Sequence, residues 1–194
     1  MGDSLQQLKQ LVNNIHLLSE KEVAAFAEVF KPHSVLKKQV LTNIGNKERY
    51  LYFITEGVQR IYSLDQDGRE ATILFTYPYS FGGVLDSFML QQPSKYCYES
   101  LTASSFLRTT FNELQEVRIS YPSIEIMLNK GLTLALSGVL ERLAEVQSLT
   151  AEEKLRRLFK RSPHIFQLVP QKYLANYLGI DPTNFSKFMN SVKM

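Results

Sequence analysis

The chain has 194 residues, 44% of them hydrophobic and 21% charged, with a formal net charge of +3. That is ordinary globular composition, enough for one medium domain or two small ones with a real core. A single cysteine, Cys97, excludes an intramolecular disulfide, a multi-cysteine zinc site and a cysteine-ligated iron–sulfur cluster within one chain. His16, His33 and His164 are scattered without ligand spacing, so no metal or haem cofactor is expected.

In chain order, residues 4–30 read as helices. Leu5, Leu8, Leu11, Val12 and Ile15 recur at helical spacing, and Ser19 stands three before Glu22, the spacing of a capping box opening a second helix. The start MGDSLQQLKQLVNN lacks the basic-then-apolar pattern of a leader, and no apolar run is read as approaching the ~18 residues of a membrane span. The expected compartment is therefore the cytoplasm, with no membrane partner.

From about Lys31 to Phe111 the period changes to that of strands. Short β-rich runs at Ser34–Leu41, Tyr50–Glu56, Gln59–Leu64, Ala71–Tyr77 and Tyr96–Thr110 alternate with turn signals, and Asp67-Gly68 marks a hairpin. Such spacing predicts a small antiparallel roll rather than a parallel sheet.

The helical period returns at Asn112. Pro122 separates a short helix from a long one over about Ser123 to Leu149. Leu132, Leu136, Val139, Leu143 and Val146 alternate by four and three residues, the heptad seam of a helix that pairs with its own copy. An ordinary buried face gives the same pattern. Leu128, Leu134 and Leu140 lie off the seam and are expected to pack back on the roll, while Gly131 and Gly138, seven apart, mark a face open to close approach. Thr150 and Glu153 then cap a further helix that ends before Pro163.

The last 25 residues carry the strongest functional signal. In Pro170–Met189, Leu174, Ala175 and Leu178 form an apolar stripe, Gly179 supplies a turn, Asp181 an N-cap and Pro182 the first position of a second helix. Phe185 and Phe188 give that second helix its buried side. A small residue in the first helix, a turn glycine four residues on and a capped second helix match a DNA-reading helix-turn-helix; a plain αα-hairpin is the alternative. Residues 150–194 hold eight basic and three acidic residues, leaving the rest of the chain at −2, and a basic end on a slightly acidic body suits nucleic acid.

The order of helical lead-in, roll, long helix and helix-turn-helix resembles the family of the cyclic AMP receptor protein and the fumarate–nitrate reduction regulator (Crp/Fnr) over almost the whole chain. Tyr50–Gly57 looks like the strand pair entering the family's roll, and Phe81-Gly82-Gly83 sits where its phosphate-binding cassette begins. Ala151–Phe159 followed by Val169–Ala175 looks like a branch common in Bacteroidetes. The resemblance implies an α+β chain divided into a sensor roll with N-terminal helices (1–122), a dimerisation helix (123–149) and a helix-turn-helix domain (150–194). It implies double-stranded DNA, a second copy of the chain and RNA polymerase as partners. A small-molecule effector, with no resident cofactor, would change how two protomers pair and so set the spacing of two recognition helices.

The resemblance places ligand contacts at Phe81, Gly82, Gly83, Val84, Leu85, Lys95 and Tyr96, and the dimer seam at Leu132, Leu136, Val139, Leu143 and Val146. Base contacts fall to Thr183, Asn184 and Lys187, with Gln171 and Ser186 near phosphates and Lys172 a further DNA-binding residue. Three departures modify it. Where cyclic-nucleotide sites continue Phe-Gly-Glu and later present Arg-Ser/Thr-Ala, this chain has Gly83 and Lys95-Tyr96-Cys97, and Gly138-Val139 replaces a hydroxyl pair on the long helix; tight cyclic AMP binding is not expected. The recognition helix has Pro182-Thr183 and Lys187 where relatives carry an Arg-Glu pair and a later Arg, weakening guanine recognition. The sequence given stops at Met194, leaving little room for the usual β-hairpin wing, so weaker, salt-sensitive DNA binding is expected. A ligand-sensing or protein-interaction module that has lost DNA reading is the competing interpretation. An enzyme would need a metal triad or an acid/base pair in the roll, where only His33, Cys97 and unarranged acids such as Asp86 and Glu99 stand.

Overall fold

The computed structural model describes residues 2–191. Helix α1 (Gly2–Ile15) buries Leu8 and Val12, and α2 (Glu20–Glu28) buries Val23, Phe26 and Ala27 against them. The capping box forms as the spacing predicts: the Glu22 N–H donates to the Ser19 hydroxyl, and the Ser19 N–H donates to the Glu22 carboxylate at 2.8 Å.

The strands are β1 (Lys31–Val35), β2 (Val40–Thr42), β3 (Tyr50–Glu56), β4 (Gln59–Leu64), β5 (Glu70–Thr76), β6 (Phe81–Gly82), β7 (Cys97–Ser100) and β8 (Ser104–Thr110). They form two antiparallel sheets, ordered β1-β8-β3-β6 and β2-β7-β4-β5. Strand β3 reads as a continuous apolar run because both its faces are covered. Tyr52 and Ile54 point into the roll beside Ile61, Tyr98 and Phe106, whereas Leu51 and Phe53 meet the N-terminal helices. The hairpin between β4 and β5 turns at Asp67-Gly68, where the Asp65 carboxylate accepts the Asp67 and Arg69 N–H groups at 2.9 and 2.8 Å.

Two expected single strands are each two. The run Ser34–Leu41 divides into β1 and β2 at Lys38, which has φ +63°, and Tyr96–Thr110 divides into β7 and β8. In both cases the chain turns a corner and changes sheet. The Ser100 hydroxyl stitches the two corners together by donating to Leu36 O at 2.7 Å.

Helix α3 (Leu85–Leu90) follows β6; α4 (Phe111–Ser120) starts on a second capping box, Thr110 with Glu113. Tyr121 is extended, as a residue before proline must be, and Pro122 opens α5 (Pro122–Ser148). Ile124 and Met127 anchor α5 in the cluster shared by α1, α2 and the outer face of the roll, and Leu128 packs beside them. Leu134 and Leu140, expected to reach the roll, instead stand 62% and 56% exposed. Past Gly131, which lies beside Ile15, residues 133–141 of α5 are exposed before Arg142 and Glu145 meet the terminal helices. The expectation about apolar runs is also corrected: one 18-residue window of α5 reaches a mean hydropathy of 1.2 and passes for a membrane span by length and composition, with 11% of it buried. Small residues such as Gly131, Thr133 and Gly138 dilute the stretch without charging it, which hides it from a search for an unbroken apolar run.

Helices α6 (Ala151–Arg161), α7 (Ile165–Leu168), α8 (Gln171–Leu178) and α9 (Pro182–Ser191) complete the fold. The Thr150–Glu153 capping box opens α6. The buried Glu145 of α5 accepts from Arg161 at 3.1 Å and Arg157 at 3.5 Å, fixing α6 to the long helix. Leu155, Leu158, Ile165, Leu174, Leu178 and Phe185 share one core with Val58, Phe75 and Leu101 of the roll.

Candidate functional site

Helices α8 and α9 are two short helices joined by a tight turn at Gly179. Gly179 is left-handed (φ +64°), a conformation glycine adopts without steric cost, and its N–H returns to the end of α8. The Asp181 carboxylate accepts the Thr183 and Asn184 N–H groups at 2.9 and 3.3 Å, the N-cap read from the sequence. Ala175 is buried, which lets α9 approach α8, and Phe185 closes the space between them; Phe188 is half-buried. Gln171, Lys172, Thr183, Asn184, Ser186 and Lys187 are all exposed. Residues 192–194, where the expected wing truncation and Lys193 fall, lie outside the described residues.

The unit is held to the roll by contacts that the sequence reading missed. The Asn176 carboxamide docks on edge strand β5, accepting the Thr72 N–H at 2.6 Å and donating to Glu70 O at 2.8 Å. Arg60, buried in β4, lies between the rings of Tyr62 (4.0 Å) and Tyr173 (4.1 Å) and pairs with Glu70 (2.7 Å) and Glu99 (2.6 Å). A buried guanidinium persists only when partnered in this way. Arg142 of α5 donates to Tyr177 O and stacks on the Tyr177 ring, which in turn meets Phe75. The available signal was a lone arginine in an otherwise buried strand; its partners, up to about a hundred positions away, carry no local pattern.

At the cassette position, Gly82 and Gly83 are required by crowding. A Cβ on Gly82 would lie 2.5 Å from the Tyr98 hydroxyl, and one on Gly83, which has φ +108°, 3.0 Å from Tyr50 O. The Val84 N–H, at the start of α3, donates to the buried Glu48 carboxylate at 3.1 Å, and the Gly83 amide faces the Tyr98 hydroxyl. Glu48 also accepts from the Thr42 hydroxyl (2.8 Å) and the Tyr50 N–H (3.3 Å). Burial pushes its pKa up against these hydrogen bonds, and burial likewise raises that of Tyr98. Phe81 and Leu85 pack in the helical cluster outside the roll, Val84 and Tyr96 pack in the roll core, and Lys95 is exposed. These seven residues therefore do not converge on one cavity.

On α5, Leu132 is half-buried, while Leu136, Val139, Leu143 and Val146 are exposed by 58, 53, 51 and 39%. Isolated exposed leucines are ordinary, but a continuous apolar stripe marks a surface that something covers.

Residues 32–121 match the cyclic nucleotide-binding domain family. No curated protein matches the sequence. Among solved structures the chain superposes on FixK2 from Bradyrhizobium japonicum (TM-score 0.73, 16% identity, 84% of each chain). It also superposes on CLP, described as a c-di-GMP-responsive global regulator of Xanthomonas campestris (0.68, 13%, 90% of this chain and 92% of that one). A third is a Eubacterium rectale protein assigned to the transcriptional regulators of the crp/fnr family (0.68, 13%, 90% and 83%). The roll thus matches the cyclic nucleotide-binding domain family, and the chain as a whole shares the fold of these solved structures.

Proposed function

We propose that this chain is a cytoplasmic, dimeric transcription regulator whose terminal helix-turn-helix reads double-stranded DNA. In this reading residues 1–122 are the sensor part, 123–149 the pairing helix and 150–194 the DNA-binding part. The observation that carries it is the surface of α8 and α9: six polar candidates, two on α8 and four on the capped second helix, are all exposed while the apolar side is buried. Asn184 suits adenine and Thr183 a thymine methyl or a base edge, while Lys187 brings charge to the groove; Gln171, Lys172 and Ser186 lie at phosphate-contacting positions. The exposed stripe of α5 supports pairing with a second copy, giving two-fold symmetry and half-sites about one helical turn apart.

The cassette supports a sensor that does not hold cyclic AMP tightly. Its backbone amides face Glu48 and Tyr98, and the chain has no arginine to fork onto a phosphodiester there.

Selection of random and sheared genomic DNA by the purified protein tests the proposal. An enriched pseudo-palindrome supports it, and Lys187→Ala should then flatten preference at one position; a uniform loss would make Lys187 a phosphate contact. No enrichment at low or moderate salt would favour an interaction module that no longer reads DNA.

A further inference from the structure

The roll is filled at the cassette, and a half-open pocket lies elsewhere on it. A cavity of about 400 Å³ lies among β1, β8, β3 and the loop before β3, and none of the cassette residues lines it. That volume falls within the ~300–1,000 Å³ range of small-molecule sites. Its lining is polar and basic: Arg108, Lys47 and Arg49 bring three positive charges, with Gln39, Asn46 and Tyr50 beside them.

Arg108 is the distinctive group. Register pairs it with Tyr52 on one side and Lys31 on the other, so it shares the inward face of the sheet with Tyr52. Its guanidinium is stacked 3.9 Å from the centre of the Tyr50 ring, which fixes its orientation. Among the described residues no carboxylate lies within ion-pair distance of it and none of its N–H groups is hydrogen-bonded. The contrast is Arg60, equally aromatic-stacked but held by two carboxylates. The acid in the cavity wall, Glu48, is already engaged by Thr42, Tyr50 and Val84. His33 stacks on Phe106 at the same wall, and burial with the Arg108 charge lowers its pKa, so it adds little charge at neutral pH.

We propose that this cavity binds a small phosphate-bearing molecule, with the phosphate forked by Arg108 and flanked by Lys47 and Arg49. A preoriented, unpaired guanidinium matches phosphate geometry bidentately, and two further cations favour a dianionic phosphomonoester over a singly charged diester. The volume beyond the phosphate and the Gln39 and Asn46 amides suit a polar body such as a ribose. The inference is independent of DNA reading, because its readout is small-molecule binding alone.

The test is calorimetric titration of the full chain with AMP, inorganic phosphate and cyclic AMP at fixed ionic strength. AMP should saturate and cyclic AMP should bind at least about tenfold more weakly. Arg108→Ala should weaken AMP about tenfold or more, and Arg108→Lys should recover only part of it. Equal binding of inorganic phosphate and AMP would support the phosphate site and identify free phosphate as its ligand. Lys47→Ala and Arg49→Ala, at exposed positions, provide the same test if the Arg108 variants do not fold. No saturable binding of AMP or phosphate at millimolar concentration overturns the proposal, as does AMP binding that survives all three alanine substitutions or falls equally with Lys172→Ala on the distant helix-turn-helix.

Discussion

Leu136→Glu tests the proposed pairing role of α5 apart from its structural one. Leu136 is 58% exposed in the single chain, so the substitution costs the protomer little, within about ±0.5 kcal/mol as for other surface positions. In a two-fold dimer the same residue is covered twice. Full burial of a leucine is worth ~1.5–3 kcal/mol, so covering the exposed part yields about 1–1.7 kcal/mol per protomer and about 2–3.4 per dimer. Lost burial alone thus raises the dimer Kd by about 30- to 300-fold, and two carboxylates forced into an apolar seam raise it further. Sedimentation and light scattering across a concentration series read the Kd, while circular dichroism verifies the fold. Leu134→Glu is the control: Leu134 is 62% exposed but sits off the heptad seam, and its Kd should stay near wild type. A Leu136→Glu dimer of unchanged Kd, or equal loss from both substitutions, would refute the seam.

Asn176→Ala removes two hydrogen bonds to the edge of β5 and should cost about 1–3 kcal/mol in docking α8 to the roll. Hydrogen exchange should show the Thr72 amide opening faster, and unchanged protection would remove Asn176 from the junction. Burial raises the Glu48 pKa above its ordinary 4.5, so its contribution to stability is full below that value and falls as pH rises through the folded-state value. Glu48→Gln should lower stability overall yet flatten that decline in denaturant titrations between about pH 4 and pH 8; a slope equal to wild type would contradict the assignment. Millimolar cyclic AMP should leave the melting temperature nearly unchanged, and a rise of several degrees would overturn the reading that the chain does not bind it tightly.

The elements were legible wherever a local rule decides them. Ser19 with Glu22 and Thr150 with Glu153 start helices at the residues their spacing names, because a cap is a bond within one turn. Gly179, Asp181 and Pro182 fix the turn between α8 and α9 the same way, and β-rich runs bounded by turn signals gave β3 and β4 their limits. Tertiary structure decided what depends on distant partners. The corners at Lys38 and between β7 and β8 exist because the chain must change sheet, which no hydrophobic period announces. Glu48 reads as one charge in a polar loop, and only folding brings it to the Val84 amide 36 positions away. Arg60 and Arg108 look alike as arginines in strands; closure of the roll gives the first two carboxylates and leaves the second facing an open cavity. Sequence determined the kind of elements and the exposed polar surface of the last two helices, because those rest on spacing within a few residues. The docking of that unit on the roll and the position of the cavity rest on pairings across the chain, which only the packed structure creates.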